Sequence, residues 1–164
     1  MTIPEAPLSL VTGATGYVGG RLVPELLAAG HRVRVMVRDP RKAEAREWAD
    51  QVEIVRADAT DADQVRDAMV GVDVAYYLLH SIGTGDDFVE TERTIAETFA
   101  AEAEAAGVQR IVYLGGMDPA GEELSEHLRS RHDVGEVLLA SHVPAAVLQA
   151  GVVIGSGSAS FEML

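Results

Sequence analysis

Short apolar runs alternate with amphipathic stretches along the chain, and the alternation predicts strands and helices in turn. Leu8–Thr12 (LSLVT) is an apolar run that stops at a glycine. A helical pattern follows, with Val18, Leu22, Leu26 and Leu27 on one face, closed by Gly30. Pro24 falls inside it and is expected to bend the helix or to sit near its first turns. Val33–Val37 reads as a second strand, Arg41–Trp48 as a short helix and Val52–Arg56 as a third strand. Asp61–Val70 predicts a helix with Thr60 or Asp61 as N-cap, because a short oxygen-bearing side chain accepts from the free N–H groups of a first turn. Val72–Leu79 (VDVAYYLL) is nearly all apolar, as expected of a strand covered on both faces. Phe88, Ile95 and Phe99 mark one face of a long helix that ends near Gly107. Ile111–Leu114 is a fifth strand, Glu122–Ala140 contains another helix, and Ala145–Ile154 (AAVLQAGVVI) is a sixth, buried strand.

Strand and helix repeating with short connections predict an α/β fold. The expected form is a doubly wound parallel sheet of about six strands with helices on both faces, in one domain over residues 1–164. Hydrophobic residues make up 48% and charged residues 24%, the balance of a globular chain rather than a disordered one. The 13 Lys and Arg face 26 Asp and Glu, a net charge of −13. Such a field repels nucleic acid and anionic lipid and excludes both as general partners, while a local cluster of arginines can still hold one small anion. The absence of cysteine excludes disulfides, thiolate nucleophiles and Cys-ligated zinc; it fits a reducing cytoplasm, and no metal site is expected. The segment MTIPEAPLSLVTG lacks the basic start and long apolar core of a signal peptide. Val137–Phe161 is uncharged but is broken by Ser141, His142, Pro144, Gln149 and GSGSAS, so it reads as a helix end, a turn and a strand, with no membrane span.

The strongest chemical signal is Thr12-Gly13-Ala14-Thr15-Gly16-Tyr17-Val18-Gly19, directly after the first strand and at the opening of the first helix. That context is the one a dinucleotide-binding fingerprint requires. Gly13 is expected to permit the tight turn, Gly16 to let the backbone approach a pyrophosphate, and Gly19 to let the helix pack close to the sheet. The phosphates would meet unpaired N–H groups and the positive end of the helix dipole. Gly13, Thr15, Gly16, Tyr17, Val18 and Gly19 are therefore the expected binding turn.

The spacing GATGYVG resembles the atypical short-chain dehydrogenase/reductase superfamily, and within it the NmrA-like and complex-I-39-kDa-subunit-like group. GATGYVGGRL, VRVMVRDP, AGVQRIVYLGG, SRHDVGEVLLAS and QAGVVIGSG carry the resemblance in order over nearly the whole chain. It implies an NAD(P)-binding Rossmann fold.

At the end of the second strand, VRVMVRDP places Arg38 where an NAD site carries an acid and an NADP site an arginine. With Arg41 and Lys42 close behind, Arg38 offers a fork to a 2′-phosphate, so NADP is the expected cofactor. NAD is the alternative, because Asp39 lies about 20 residues after Gly19, where a spacing rule puts the ribose-binding acid. Counted from the Gly30-His31 turn, Asp39 falls beyond the strand end and is expected to begin the following helix. The resemblance also implies adenine contacts at Asp58 and Ala59, and ribose contacts at Leu79, His80 and Ser81. His80 reads equally as a capping or loop histidine.

The superfamily's usual Ser and Tyr-x-x-x-Lys are missing in this comparison. The serine position after the fifth strand is glycine (Tyr113-Leu114-Gly115-Gly116-Met117), and SRHDVGEVL aligns Arg131 with the lysine and His127 with the tyrosine. His127 as an acid and Arg131 as an electrostatic anchor are the weak catalytic candidates, against a plain reading as polar residues on a helix rim. Tyr113 reads as core or wall. Asp86, Asp87, Glu90 and Glu92 read as a solvated helix start. Two functions stay open: an NADP(H)-dependent oxidoreductase acting on an unidentified small molecule, and a non-catalytic dinucleotide-binding redox sensor or assembly factor. The end Phe161-Glu162-Met163-Leu164 reads as a helix cut within its first turns, beginning at Ser158 or Ala159, so a further substrate-covering part and self-association through an exposed apolar end are expected.

Overall fold

Six apolar runs pair side by side, all parallel, in the computed structural model. It describes residues 6–80, 86–117 and 126–151 together with Val153 and Gly155, and for residues 86, 87, 126 and 127 the backbone alone. The elements run β1 (Leu8–Thr12), α1 (Tyr17–Ala28), β2 (Arg32–Val37), α2 (Pro40–Glu44), β3 (Glu53–Arg56), α3 (Ala62–Met69), β4 (Val74–Tyr77), α4 (Asp86–Ala105), β5 (Arg110–Gly116), α5 (Glu126–Leu139) and β6 (Ala145–Ala150). A 3-10 turn at Ala49–Gln51 leads into β3. The strand order is β3-β2-β1-β4-β5-β6. The chain thus builds outward from β1 to β3, then crosses back to lay β4 on the other side of β1. A doubly wound sheet opens its ligand crevice at such a reversal, above the C-terminal ends of the strands.

Alternation along the strands divides the core between the two faces. Val11, Val33, Val35 and Val37 pack with Val23 and Leu26 of α1, Ala43 of α2 and Trp48. Leu10, Met36, Ala75, Tyr77, Ile111 and Tyr113 pack on the opposite face with α3, α4 and α5.

Several element limits differ from the sequence expectation, each for a tertiary reason. The fully buried face of α1 is Gly19, Val23 and Leu26, with the expected Leu22 and Leu27 partly buried against the same core, and Pro24 lies exposed in the helix interior. α2 stops at Glu44 because the chain turns back to bury Trp48 in the α1 side of the core. β4 ends at Tyr77, since the Leu78 N–H leaves the ladder to reach a side chain of β1. β6 is less buried than expected: it is the outer strand beside β5, with Leu148 56% exposed. Glu92 is 4% exposed rather than solvated, because its position on α4 turns inward. Residues 1–5, Ser81, Glu122, Ile154 and the expected helix start from Ser158 to Leu164 lie outside the described residues.

Candidate functional site

The glycine turn is built where β1 and β4 end together. Thr12 is buried; its hydroxyl donates to the Tyr76 carbonyl at 3.0 Å and accepts from the Leu78 N–H at 3.0 Å. That brings the backbone of Leu78 against Gly13, which has φ +64°. A Cβ on Gly13 would collide with the Leu78 carbonyl oxygen and lie 3.0 Å from its carbon, so the position is glycine for conformation and for space alike. Gly16 donates to the Gly13 carbonyl at 3.0 Å and forms the N-cap of α1. Its φ of −77° suits any residue, and a Cβ there would meet only the Gly13 oxygen, at 3.2 Å. Gly19 makes its close approach to the turn itself, where a Cβ would lie 2.7 Å from the Cα of Ala14. Among the described residues no side chain caps α1, and no acidic residue lies in its first turn. An anion therefore meets free N–H groups and the positive helix end there. The fit to a pyrophosphate rests on this uncapped end and on the bare backbone of Gly16. Tyr17 stands at the rim with the Arg21 guanidinium 3.9 Å over its ring, and Gly155 returns against its hydroxyl.

At the end of β2, Arg38 is exposed. Asp39 caps α2, accepting from the Arg41 N–H at 3.2 Å, and its two carboxylate oxygens take the Arg41 guanidinium at 2.9 Å each. The Arg41 side chain holds this carboxyl below the usual range against a desolvation cost, with the backbone bond and the charges of Arg41 and Lys42 adding to the lowering. After β3, Asp58 accepts from the Thr60 N–H at 3.0 Å and the Thr60 hydroxyl at 2.8 Å, which lower its pKa, and the charge of Arg38 acts in the same direction. Ala59 and Leu79 pack against the α3–α5 side of the core. These residues follow neighbouring strand ends, as the sequence reading expects.

Beyond β4, His80 faces Tyr113 edge-on with ring centroids 6.3 Å apart. Its imidazole is pushed down to about 4, first by the loss of water around it and then by the charge of Arg131. Tyr113 is buried; its hydroxyl donates to the Arg131 carbonyl at 3.1 Å, and burial pushes its pKa up to about 12. The Arg131 side chain lies over the end of β5, where a Cβ on Gly116 would come 3.4 Å from its Cδ. A Cβ on Gly115 would come 3.0 Å from the Tyr113 ring, so Gly115 leaves room for the tyrosine. His127 lies on α5 one turn before Arg131, and its side chain is outside the description.

Sequence reasoning misses Arg46. Its guanidinium donates to the Thr15 carbonyl at the mouth of the glycine turn. Nothing in its neighbours in sequence marks it, because the contact depends on where α2 stops.

Comparison with known proteins bears directly on this geometry. Residues 13–152 match the family described as NAD(P)H-binding. The chain is 34% identical over 128 residues to the sterol demethylase protein B of Methylococcus capsulatus, covering 73% of this chain and 38% of that protein. It is 33% identical over 129 residues to a 3 beta-hydroxysteroid dehydrogenase/Delta 5→4-isomerase of Mycobacterium tuberculosis, covering 68% of this chain and 34% of that one. It thus spans about a third of the length of these curated relatives. Among solved structures it is similar to the Citrobacter sp. triphenylmethane reductase complexed with NADP(H), at TM-score 0.72 and 25% identity over 88% of this chain and 49% of the other. The Bordetella bronchiseptica enzyme WbmG in complex with NAD shares the fold at TM-score 0.74 and 19% identity, over 90% of this chain and 55% of the other.

Proposed function

Because the chain belongs to the NAD(P)H-binding family of atypical short-chain dehydrogenases/reductases, we propose that it forms the cofactor-holding part of an NmrA-like, NADP(H)-dependent oxidoreductase. The observation that carries the NADP preference is the engagement of Asp39. Both of its carboxylate oxygens are taken by Arg41 and one also caps α2, which leaves Arg38 as the group offered to the adenosine ribose. A guanidinium there pairs with a 2′-phosphate, while an acid would be needed to hold a 2′-hydroxyl. Gly13, Thr15, Gly16, Tyr17, Val18 and Gly19 form the pyrophosphate cradle; Asp58 and Ala59 flank the adenine; Leu79 and His80 border the ribose on the nicotinamide side. When bound, the reduced nicotinamide supplies a hydride. Arg131 contributes a fixed positive charge where negative charge develops on a substrate oxygen, since a guanidinium keeps its proton throughout. His127, one turn earlier on α5, is the candidate proton donor. The substrate is a small molecule that accepts a hydride, and the cysteine-free chain fits a cytoplasmic setting.

A second reading, a dinucleotide-binding sensor or assembly factor without turnover, draws support from Tyr113. Its hydroxyl is occupied by the Arg131 carbonyl instead of standing ready for a substrate. Turnover across a panel of carbonyl compounds separates this reading from the first.

Calorimetry on Arg38→Ala tests the cofactor assignment. Loss of a charge-assisted bond to a dianion should weaken NADPH about tenfold to a hundredfold and leave NADH nearly untouched. A wild-type preference for NADH would make Asp39 the ribose reader and overturn the assignment.

A further inference from the structure

Arg46 is held in place by its backbone rather than by its charge. Its N–H donates to the Ala43 carbonyl at 2.9 Å, its own carbonyl accepts from the Ala49 N–H at 3.0 Å, and Trp48 two residues on is buried in the core. From this fixed turn the side chain extends to the Thr15 carbonyl, one residue before the N-cap of α1. It passes beside Gly20, where a Cβ would make ordinary van der Waals contact with the guanidinium, 3.7 Å from Nη1 and 3.9 Å from Cζ. The result is an exposed cation laid against the glycine turn from the α2 side.

Arg38 follows the end of β2, the strand next to β1. β1 and β2 run in register with Thr12 opposite Met36, so the turn after Thr12 and the residue two beyond Met36 lie side by side. Arg41, the nearest cation in sequence, is committed to Asp39. Arg38 thus leaves the strand beside the glycine turn, and Arg46 touches the turn itself at the Thr15 carbonyl. A peptide carbonyl is a neutral, single acceptor, whereas a phosphate dianion accepts two parallel N–H bonds from a guanidinium and is the stronger partner. A 2′-hydroxyl offers no such exchange.

We propose that Arg46 is a specificity-determining residue of the dinucleotide site, resting on the Thr15 carbonyl in the free protein and turning to the 2′-phosphate when NADP(H) binds. The proposal rests on the NADP(H) reading above and adds a residue to it that the family comparison does not supply.

The test is calorimetry with NADPH and with NADH on the wild type, Arg46→Ala and Arg46→Gln. Glutamine keeps an N–H donor for Thr15 and removes the charge, so it guards against a change in folding, which thermal melting checks. Both variants should weaken NADPH about tenfold and leave NADH within about twofold. Equal losses for the two dinucleotides would make Arg46 a brace for the turn and overturn the proposal, as would unchanged NADPH affinity. A wild type that binds neither dinucleotide, or prefers NADH, would instead sink the underlying reading. An NADPH-to-NADH affinity ratio unchanged from the wild type in both variants would sink the role of Arg46 alone.

Discussion

His80 keeps part of its surface in solvent, yet crowding at the end of β4 and the charge of Arg131 together lower its pKa from 6.5 to about 4. Between those two values the unfolded chain binds more protons than the folded one, so stability falls as pH drops through that window. Above 6.5 both states carry a neutral imidazole and the contribution is flat. His80→Asn should therefore gain on the wild type only below 6.5, with the difference levelling off near 4. Melting midpoints of the two proteins across that range check it, and a difference independent of pH would contradict it. At this scale the glycine turn was legible in the sequence, because positive φ and close backbone contact exclude most other residues at Gly13. Asp39 was legible as the beginning of the following helix, and the structure makes it the N-cap. Glu92 was not: three acidic neighbours give it the look of a solvated face, and only the packing of α4 on the sheet buries it. Arg46 was silent because its partner lies 31 residues away.

The elements whose limits follow from their own residues were read closely, and those limited by packing were not. β1 matches its expected span, and α3 starts after Asp61 as its capping chemistry requires. Asp61 accepts from the Asp63 N–H at 3.1 Å and the Gln64 N–H at 3.2 Å. Replacing it with alanine should cost about 1 kcal/mol in urea unfolding with no change in slope. An unchanged midpoint would mean that α3 is held only by its neighbours. Those neighbours do contribute: Arg66 of α3 forks onto Glu102 of α4 at 2.8 and 2.9 Å. By contrast, residues 41–48 have helix-forming composition throughout, and α2 still ends at Glu44 because burying Trp48 outweighs extending an exposed helix. The apolar run 145–154 promised a buried strand, and β6 over Ala145–Ala150 is only partly buried, since apolar composition does not tell an inner strand from an outer one.

At the scale of the whole molecule, the fold class was read from the βαβ alternation, while the order of the strands came only with the structure. That order sets the site, because the reversal between β3 and β4 places the glycine turn, Arg38, Asp58 and His80 along one edge of the sheet. The net charge of −13 makes the arrangement more telling: in an acidic chain, Arg46 is laid against the turn that opens α1, and Arg38 follows the neighbouring strand. Binding of an anionic dinucleotide at that turn is the central claim, and one substitution tests it most directly. Gly16→Val keeps an ordinary backbone conformation, and its Cβ makes one tight contact, 3.2 Å from the Gly13 oxygen, which a shift of a few tenths of an ångström relieves. Its branched side chain would stand where the pyrophosphate must approach the first turn of α1. Calorimetry with NADPH should show binding lost in this variant while its circular dichroism matches the wild type. Unchanged affinity in a folded Gly16→Val protein would place the dinucleotide elsewhere and contradict the account.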